Sequence, residues 1–351
     1  MDDLFRFEKD LARAATLPAS WYFDPAALER ERERVFARTW QLAGYAEDLA
    51  RAGDFLTTEV AGEPVLVTCG ADGRRRAFSN VCRHRAGPVA CGKGNRATLR
   101  CGYHGWTYGL DGGLLAAPET DGMLDFDPAA VRLPELVVAA FGPFVFVGLD
   151  PAVSALDSVL GQMTAEMAGI GLERFRIHRR HDYEVACNWK VYVENYLEGY
   201  HVPHLHPALH REVDAKGYRV EVGDGFALHH APPRPSVRAP VYEGFWAWLA
   251  PNVAFNVYAS GVSVERMVPT GPETLRLEYL FFFREGASEG EREAALSMCR
   301  QVTAEDQKIC EAVQRNLRAG VYEAGRLSPR HENGVFAFQE RIRAALGGGG
   351  D

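Results

Sequence analysis

Hydrophobic and polar positions change their spacing along the 351-residue chain. Residues 21–40 contain an Asp-Pro helix start followed by apolar positions at helical spacing, which predicts a helix. Between residues 53 and 148, short alternating runs such as EPVLVTC are separated by Gly, Asp and Pro turns. This alternation predicts a small antiparallel β domain. The run PAVSALDSVLGQMTAEM after it predicts a linking helix.

Beyond residue 174 the pattern is mixed. The run NWKVYVENYLEGYH at residues 188–201 predicts a helix, and Pro203 and Pro207 prevent its simple continuation. Strands are expected in NVAFNVYAS, VSVERMV and LRLEYLFFF, and a long helix from about residue 289 to 319. A sheet followed by a long C-terminal helix makes this second domain α+β.

The charge of the chain narrows its possible partners. A net charge of -8 without a Lys/Arg-rich block argues against nucleic acid or an anionic membrane as the partner. No apolar run is long enough to span a bilayer, and MDDLFRFEKDLARAA is charged from its second residue, which we do not expect of a secretory signal. Seven cysteines without a disulfide pattern favour a reducing, cytoplasmic location.

Two mixed cysteine–histidine pairs lie on loops inside the β domain: Cys82 with His84, and Cys101 with His104. Zinc sites usually pair cysteine with cysteine and histidine with histidine. Here each loop offers one thiolate and one imidazole, so two loops can bring both thiolates to one iron and both imidazoles to the other. That is the ligand arrangement of a Rieske [2Fe–2S] centre. A zinc site and loops without metal remain alternatives.

A second metal site is indicated by NYLEGYHVPHLH. Glu198 and His201 are three residues apart, on one face of the predicted helix. His206 follows five residues later, past Pro203, where the broken helix can return it to the same point. Two histidines and a carboxylate on one face of a ferrous ion leave positions open for dioxygen and substrate. The third ligand has to come from elsewhere in the chain.

The long C-terminal helix offers a carboxylate for this site. Its apolar stripe consists of Val302, Ile309, Val313 and Leu317. Asp306 falls inside this stripe, whereas Glu305 lies at its edge and Glu311 on the opposite face. Because a buried carboxylate is costly unless it is paired or bound to a metal, Asp306 is the candidate ligand. A buried salt bridge or a helix cap remains the alternative explanation.

Both ligand patterns resemble those of a known family. C-x-H, sixteen residues and C-x-x-H, followed by Gly105 and Trp106, look like the Rieske domain of ring-hydroxylating oxygenases. The acid, the histidine three residues on and the histidine five further, with an aspartate on a C-terminal helix, are similar to the catalytic subunits of Rieske non-haem iron oxygenases. The resemblance extends from about residue 21 to 317.

The resemblance implies roles for the residues of both motifs. The cysteine–histidine pairs would hold a [2Fe–2S] cluster. The residues that would hold one mononuclear Fe(II) are His201, His206 and Asp306. Glu198 would be the acid that links this iron to a Rieske histidine, expected to be His104, of a neighbouring subunit. Many relatives have Asp at this bridge, and Glu is one methylene longer. Asn195, one turn before Glu198, matches an asparagine that is frequent near the iron.

The resemblance also implies an architecture and partners. The α+β chain would have an N-terminal antiparallel β Rieske domain at 46–155 and a helix-grip-like catalytic domain at 156–345. Residues 1–45 would form a helical segment that packs on the catalytic domain, and 346–351 a flexible tail. Electrons would come from a separate ferredoxin- or flavin-dependent NAD(P)H reductase. The subunits would form a head-to-tail homotrimer.

The chain looks most like the branch of the family that acts on quaternary amines, which includes glycine betaine, choline and stachydrine monooxygenases. With dioxygen, such an enzyme would hydroxylate an N-methyl carbon and release formaldehyde and a demethylated amine. A cationic ammonium group needs an aromatic cage. The candidate pocket residues are Tyr242, Phe245, Trp246, Trp248, Phe255, Tyr258 and His210.

Other functions remain open at this point. Aromatic-ring hydroxylases and O-demethylases share these motifs, and a Rieske electron-transfer protein with a non-catalytic binding domain is an alternative of another class. Aromatic residues at strand spacing are also more often core than cage. The family spacing passes over His204. Any of His210, His229 and His230 could line a pocket, but partly exposed loop positions are favoured for them.

Overall fold

The computed structural model describes residues 10–347 of the chain. These residues form two units: the β unit, Phe36–Leu156, and the α+β unit, which combines residues 10–35 with residues 157–347. Residues 1–9 of the charged N-terminus and residues 348–351 of the expected tail lie outside the described residues. Leu346 and Gly347, which we assigned to the tail, belong to the last helix. In the described part of the chain, no helix is long and apolar enough to cross a lipid bilayer.

The β unit consists of antiparallel sheets. Its strands are β1 Gln41–Tyr45, β2 Asp54–Val60, β3 Glu63–Cys69, β4 Arg75–Ser79, β5 Lys93–Asn95, β6 Leu99–Arg100, β7 Thr107–Tyr108, β8 Leu114–Ala116, β9 Glu135–Phe141 and β10 Phe144–Gly148. The main sheet has the order β1-β10-β9-β4-β3-β2-β5, and β6-β7-β8 form a smaller sheet. The antiparallel β domain predicted from the alternating runs is confirmed.

The hairpin of β2 and β3 shows how the local sequence builds this sheet. Val60 pairs with the first residue of β3, so only Ala61 and Gly62 form the turn. Both have positive φ, 52° and 85°, which a type I′ turn requires and which matches the twist of the strands. Beyond the turn, Val65 and Val67 are fully buried in the core of the main sheet. The sheet thereby gives a rigid base for the loops that follow β4 and β6.

The start of the β unit differs from the expected domain boundary at residue 45. Strand β1 pairs with β10 along its length, which makes residues 41–45 part of the main sheet. The helix expected at 21–40 is shorter than predicted: helix α1 is Pro25–Arg34. Asp24 caps it, because its side chain accepts a hydrogen bond from the backbone N–H of Ala26 at 2.9 Å.

The α+β unit contains one antiparallel sheet and several helices. Its strands are β11 Phe175–Val185, β12 Arg219–Val222, β13 Phe226–His230, β14 Tyr242–Leu249, β15 Val253–Tyr258, β16 Gly261–Gly271 and β17 Thr274–Arg284. They follow the order β11-β17-β16-β15-β14-β13-β12. From the boundary onward the helices are α2 Leu156–Leu160, α3 Met163–Ala168, α4 Trp189–Tyr196, α5 Val202–Leu205, α6 Pro207–Glu212, α7 Glu289–Arg318 and α8 Asn333–Gly347.

An antiparallel sheet with a long C-terminal helix is therefore confirmed for this unit, and with it the α+β class. The single linking helix expected after the β unit was wrong. The run forms α2 and α3 instead, separated at Gly161, whose φ of +51° is incompatible with a continuous right-handed helix.

Helix α7 begins with a capping box, in which Ser288 and Glu291 accept hydrogen bonds from each other's backbone N–H groups. Its buried face is not the stripe that the sequence suggested, because Ile309 and Val313 are 40% and 38% exposed. The buried positions are Ala295, Leu296, Cys299, Thr303, Asp306, Cys310, Gln314 and Leu317. Asp306 is buried as predicted, but on a face that carries many small and polar side chains.

Helix α4 ends at Tyr196 rather than at residue 201. Gly199 and Pro203 follow closely, and both have low helix propensity. Glu198 and His201 therefore lie in the connection between α4 and α5, and their expected position on one helix face was wrong. A Cβ at Gly199 would lie 2.4 Å from the ring of Tyr218, so this connection depends on a residue without a side chain.

A buried ion pair fastens helix α1 to helix α4. Nζ of Lys190 is 2.6 Å from Oε1 of Glu31, and both side chains are fully buried. Lys190 also donates to the backbone oxygen of Trp21 at 2.9 Å, and Nε1 of Trp189 donates to Oε2 of Glu31 at 2.6 Å. Because both charges have several partners, their burial is compensated. The N-terminal segment and α4, which precedes the second candidate metal site, are thus held together.

Candidate metal centres and substrate cavity

The first candidate centre lies on two loops of the β unit. Each loop closes on itself at its cysteine: the N–H of Cys82 donates to the oxygen of Gly87 at 2.8 Å, and that of Cys101 to the oxygen of Trp106 at 2.9 Å. Both cysteines are buried. A Cβ at Gly87 would lie 3.1 Å from the sulfur of Cys101, so a larger residue there would crowd it. The loops turn both sulfurs inward, close enough to interact with each other.

The two histidines of these loops lie beside each other. The ring centroids of His84 and His104 are 4.6 Å apart, and Trp106 stacks on His84 at 4.9 Å. Nδ1 of His84 is buried and has no hydrogen-bond partner in the described part of the chain. The pKa of His104 is lowered by partial desolvation and by the neighbouring His84. Its ring is therefore neutral near pH 7, as a metal ligand has to be.

These residues fit a [2Fe–2S] cluster with mixed ligands. Two buried thiols and two adjacent imidazoles match the Rieske donor set, and the unmatched nitrogen of His84 is a group that needs a partner. The hydroxyl of Tyr108 accepts the N–H of Arg83 at 2.9 Å and lies 3.3 Å from the sulfur of Cys82. The hydroxyl can therefore donate to that sulfur when the sulfur is a thiolate ligand of the cluster. The structure brings the four predicted ligands together on two adjacent loops.

The second candidate centre lies in the α+β unit. His201, His206 and Asp306 offer ligand atoms that all lie within 4.8 Å of one another. Nε2 of His206 is 3.1 Å from Nε2 of His201 and 3.0 Å from Oδ1 of Asp306. Ligand atoms about 90° apart around a first-row metal are separated by about 3 Å. The three residues therefore fit one ferrous ion and leave one of its faces open.

A carboxylate lies behind each of the two imidazoles. Nδ1 of His201 makes a short contact with Oε1 of Glu198, and the other oxygen of Glu198 accepts the backbone N–H of His201 at 3.1 Å. Nδ1 of His206 is 2.7 Å from Oε2 of Glu305. A carboxylate at Nδ1 fixes the tautomer that leaves Nε2 for the metal. Glu305, which the sequence analysis placed at the edge of the α7 stripe, therefore belongs to the site.

The surroundings of Asp306 favour a bound cation. Nδ2 of Asn195 donates to Oδ1 of Asp306 at 2.7 Å, which places the predicted asparagine beside the predicted ligand. Burial by itself would lower the pKa of His206, but hydrogen bonds and charges from Asp306 and Glu305 raise it. The negative potential that attracts a proton here also attracts a divalent metal ion.

A cavity of about 80 Å³ adjoins the three ligands. Its aromatic lining residues are Tyr192, Tyr196, Tyr218, Tyr242, Trp246 and Tyr279. Trp246 lies 6.2 Å from Tyr218 and 5.2 Å from Tyr242 between ring centroids, so these rings form one wall. The acidic lining residues are Glu198, Glu265 and Asp306. The cavity therefore combines aromatic faces with negative charge.

The structure brings two of the expected pocket residues, Tyr242 and Trp246, into this lining. The expected residues that it does not place there are Phe245, Trp248, Phe255, Tyr258 and His210. Trp248 is on the same face of β14 as Trp246, but it packs edge-on against Phe338 at 5.8 Å. The aromatic run YEGFWAWL thus divides between cavity and core.

Of the remaining four, Phe245 lies 5.6 Å from His230 between ring centroids, and the other three have other neighbours. Phe255 is next to the lining residue Asn256 on β15 and faces the opposite side of the sheet, because side chains alternate along a strand. Tyr258 stacks on Tyr242 at 4.8 Å and so stands behind a lining ring. His210 lies 3.1 Å from the guanidinium of Arg234. These residues support or lie outside the cavity.

A histidine and a glutamate of the lining, His229 and Glu265, were not among the pocket residues favoured from the sequence. His229 was expected in a partly exposed loop, but it lies on β13 and is 1% exposed. Burial lowers its pKa to about 3, so the ring is neutral, and its Nδ1 is 2.9 Å from the hydroxyl of Tyr218. Glu265 is 2% exposed, and burial raises its pKa to about 7. An acid inside the strand-like run VSVERMV was the signal that could have revealed it.

Two family models match the chain. The model of the Rieske [2Fe-2S] domain covers residues 39–135, and the model of the ring hydroxylating alpha subunit (catalytic domain) covers residues 172–348. The first includes both cysteine–histidine loops, and the second includes the mononuclear site and its cavity. The matches favour the iron–sulfur interpretation of the loops over zinc.

Individual relatives cover nearly the whole chain. The chain is 31% identical to a choline monooxygenase, chloroplastic, from Beta vulgaris, over 93% of this chain and 76% of that protein. It is 29% identical to the carnitine monooxygenase oxygenase subunit of Escherichia coli (strain K12), over 94% of this chain and 93% of that protein.

Among solved structures, the fold matches that of a quaternary ammonium Rieske monooxygenase with a TM-score of 0.87 and 27% identity over 96% of both chains. Naphthalene 1,2-dioxygenase from Rhodococcus sp. shares the fold with a TM-score of 0.79 at 18% identity, covering 94% of both chains. The ligand geometry, the two family models and these relatives agree, and the chain belongs to the Rieske non-haem iron oxygenases as an alpha subunit.

Proposed function

We propose that this chain is the oxygenase subunit of a monooxygenase that hydroxylates a carbon of a small quaternary ammonium compound. The observation that carries the proposal is the cavity beside the mononuclear site, in which aromatic rings surround buried carboxylates. A quaternary ammonium group cannot donate a hydrogen bond, so aromatic faces and negative charge are what recognises it. The similar choline and carnitine monooxygenases are named for such compounds.

The proposed reaction uses two metal centres, the [2Fe–2S] cluster and the mononuclear iron. When bound, the cluster supplies electrons one at a time, and the ferrous ion supplies the binding and activation of dioxygen. Glu198 and Glu305 keep Nε2 of His201 and His206 directed to the metal, and Asn195 orients Asp306. The aromatic wall at Trp246 positions the ammonium group. The mostly buried lining residues limit the water around the reacting carbon.

We propose the electron supply and the assembly by analogy with the family. A separate ferredoxin- or flavin-dependent NAD(P)H reductase would deliver the electrons, and a homotrimer would bring the Rieske histidine His104 of one subunit to Glu198 of the next. Glu198, whose side chain is 11% exposed, already contacts His201 from the side away from the metal. The solution mass of the cluster-loaded protein tests the assembly, and three chains per particle are expected.

The oxidised carbon decides the products. Hydroxylation of an N-methyl carbon gives a hemiaminal that collapses to formaldehyde and a demethylated amine, and this is the reaction that we propose. Hydroxylation of a carbinol carbon, as choline offers, would instead give the hydrate of an aldehyde without loss of a methyl group. Because the two outcomes release different products from the same site, product analysis separates them.

Single turnover tests the function without knowledge of the reductase. The protein, loaded with both metal centres and chemically reduced, is mixed with dioxygen and choline, glycine betaine, carnitine or an aromatic hydrocarbon. We expect consumption of dioxygen and release of formaldehyde with at least one quaternary ammonium compound. With Asp306→Ala we expect neither. Aldehyde without formaldehyde would correct the carbon that is oxidised. Oxidation of the hydrocarbon alone would contradict the proposed substrate class.

A further inference from the structure

We propose that Glu265 is the counter-charge for the ammonium group of the substrate and that it selects substrates of net positive charge over zwitterionic betaines. This inference rests on the function proposed above and divides the quaternary ammonium compounds into two classes. One class, represented by choline, carries only the ammonium charge. The other, represented by glycine betaine and carnitine, carries a carboxylate as well.

The position of Glu265 gives the first argument. It lies within β16, paired with Ala254 of β15 and Tyr279 of β17. Its side chain lines the cavity, yet only 2% of the residue is exposed. Oε1 makes no hydrogen bond to the residues that the structure describes, although the polar side chains of Tyr192, Asn256 and Tyr279 lie near the carboxyl group. Buried carboxylate oxygens are normally hydrogen-bonded or paired with a charge, so this oxygen is suited to a ligand from outside the chain.

A ligand that carries positive charge but no hydrogen-bond donor fits Oε1. A quaternary ammonium group offers no N–H, so it neutralises a carboxylate through charge alone. The oxygen then needs no donor from the protein. The aromatic rings of the lining, Tyr242 and Trp246 on β14 among them, can contact the methyl groups at the same time. A hydroxyl on the substrate could also donate to Oε1.

The other charges around the cavity give the selectivity. None of the described lining residues is a lysine or an arginine. Glu198 and Asp306 are acidic, and His229 is neutral because burial keeps its pKa near 3. A substrate carboxylate in this cavity would lie among carboxylates and would find no protein cation, whereas a substrate with the ammonium charge alone would be attracted by every acid.

A charge series with the wild-type protein tests the selectivity. Choline is compared with 3,3-dimethylbutan-1-ol, which replaces its nitrogen by carbon, and with glycine betaine and carnitine. Binding to the anaerobic protein loaded with both metal centres is measured by calorimetry. We expect choline to bind about tenfold or more tightly than either the neutral alcohol or the zwitterions. Equal or tighter binding of the zwitterions would overturn the proposed selectivity.

Two variants assign the effect to a residue. Glu265→Gln keeps the shape of the side chain and removes its charge, and we expect it to weaken choline binding about tenfold while 3,3-dimethylbutan-1-ol changes by less than about twofold. The matched control is Glu243→Gln, an exposed acid on β14 next to Tyr242, which should bind choline like the wild type. Unchanged choline affinity of Glu265→Gln would remove Glu265 as the counter-charge.

The outcomes separate this inference from the proposed function. If no quaternary ammonium compound is bound or oxidised by the wild-type protein, the proposed function fails and the inference fails with it. If betaines are oxidised and choline is not preferred, the function stands and the inference is wrong. If Glu265→Gln loses its metal centres, the wild-type charge series still decides the selectivity.

Discussion

Glu305 provides a sharp test of how the mononuclear site is held. Its Oε2 is 2.7 Å from Nδ1 of His206, and His206 is 1% exposed. Water therefore has little access to that nitrogen. Glu305 is the residue before Asp306 on α7, so Glu305→Ala and Glu305→Gln change the support of one ligand without removing any ligand.

The expected losses of Fe(II) affinity follow from the hydrogen bond between Glu305 and His206. Glu305→Ala leaves the Nδ1–H group of His206 buried without a partner, which costs about 2 kcal/mol, equivalent to a roughly 30-fold loss of Fe(II) affinity. Glu305→Gln retains an acceptor oxygen but loses the charge. The difference between a charged and a neutral acceptor is about 1 kcal/mol, or roughly fivefold in affinity. The two variants should therefore form a graded series.

Anaerobic titration with Fe(II) measures the series in protein that carries an assembled cluster. The visible spectrum of the cluster serves as an internal control, because the substituted residue lies in the α+β unit and the cluster ligands lie in the β unit. Lys308→Ala is the matched control, since Lys308 is an exposed residue of the same helix. It should bind Fe(II) like the wild type.

Three results would refute this reasoning. Glu305→Ala with wild-type Fe(II) affinity would show that the contact does not orient His206. A larger loss of Fe(II) affinity in Glu305→Gln than in Glu305→Ala would show that neither the charge nor the acceptor oxygen of Glu305 determines the affinity. An equal loss in Lys308→Ala would indicate a general effect on α7.

Three further predictions concern single residues. Asp306→Asn should lower the iron content from about three to about two per chain while acid-labile sulfide stays at about two, as metal and sulfide analysis would show. Burial raises the pKa of Glu194 to about 7 from 4.5, so the folded state binds the proton more tightly. Stability should fall by about 3 kcal/mol as pH rises from about 4.5 to about 7, and Glu194→Gln should flatten this profile in urea unfolding. Tyr108→Phe removes the hydroxyl beside the sulfur of Cys82 and should lower the cluster's reduction potential by roughly 40 mV in a spectroscopic redox titration.

The sequence locates the two centres with unequal ease. The cluster ligands lie on two short loops, so residue type and spacing are sufficient to predict them. His201 and His206 are also local. Asp306 comes from a helix one hundred residues later, and the apolar stripe used to find it was misplaced, because Ile309 and Val313 are partly exposed. Glu305 was missed since its contact with His206 depends on the rotation of α7 about its axis, which no local pattern determines.

The cavity shows a second limit of the sequence. All six residues of β15 are buried, so the strand is apolar or uncharged on both faces. Alternation then cannot tell which face meets the cavity and which meets the core. Phe255 was placed in the pocket for this reason, and His229 was left in a loop because the pattern gave no inward face. Only the packing of the assembled sheet against the helices resolves the two faces.

Charge connects the metal site with the substrate that we propose. Glu198, Glu305 and Asp306 surround the ligand atoms, and together their carboxylates outweigh the two positive charges of a ferrous ion. Glu265, on β16, adds a fourth acid in the lining of the cavity that adjoins this site. The bound metal therefore leaves the cavity negative, and a neutral substrate would leave it so. A cationic substrate brings the site closer to neutrality, which stabilises both the substrate and the ionised form of Glu265. The acids that hold the iron thus also favour an ammonium group beside it.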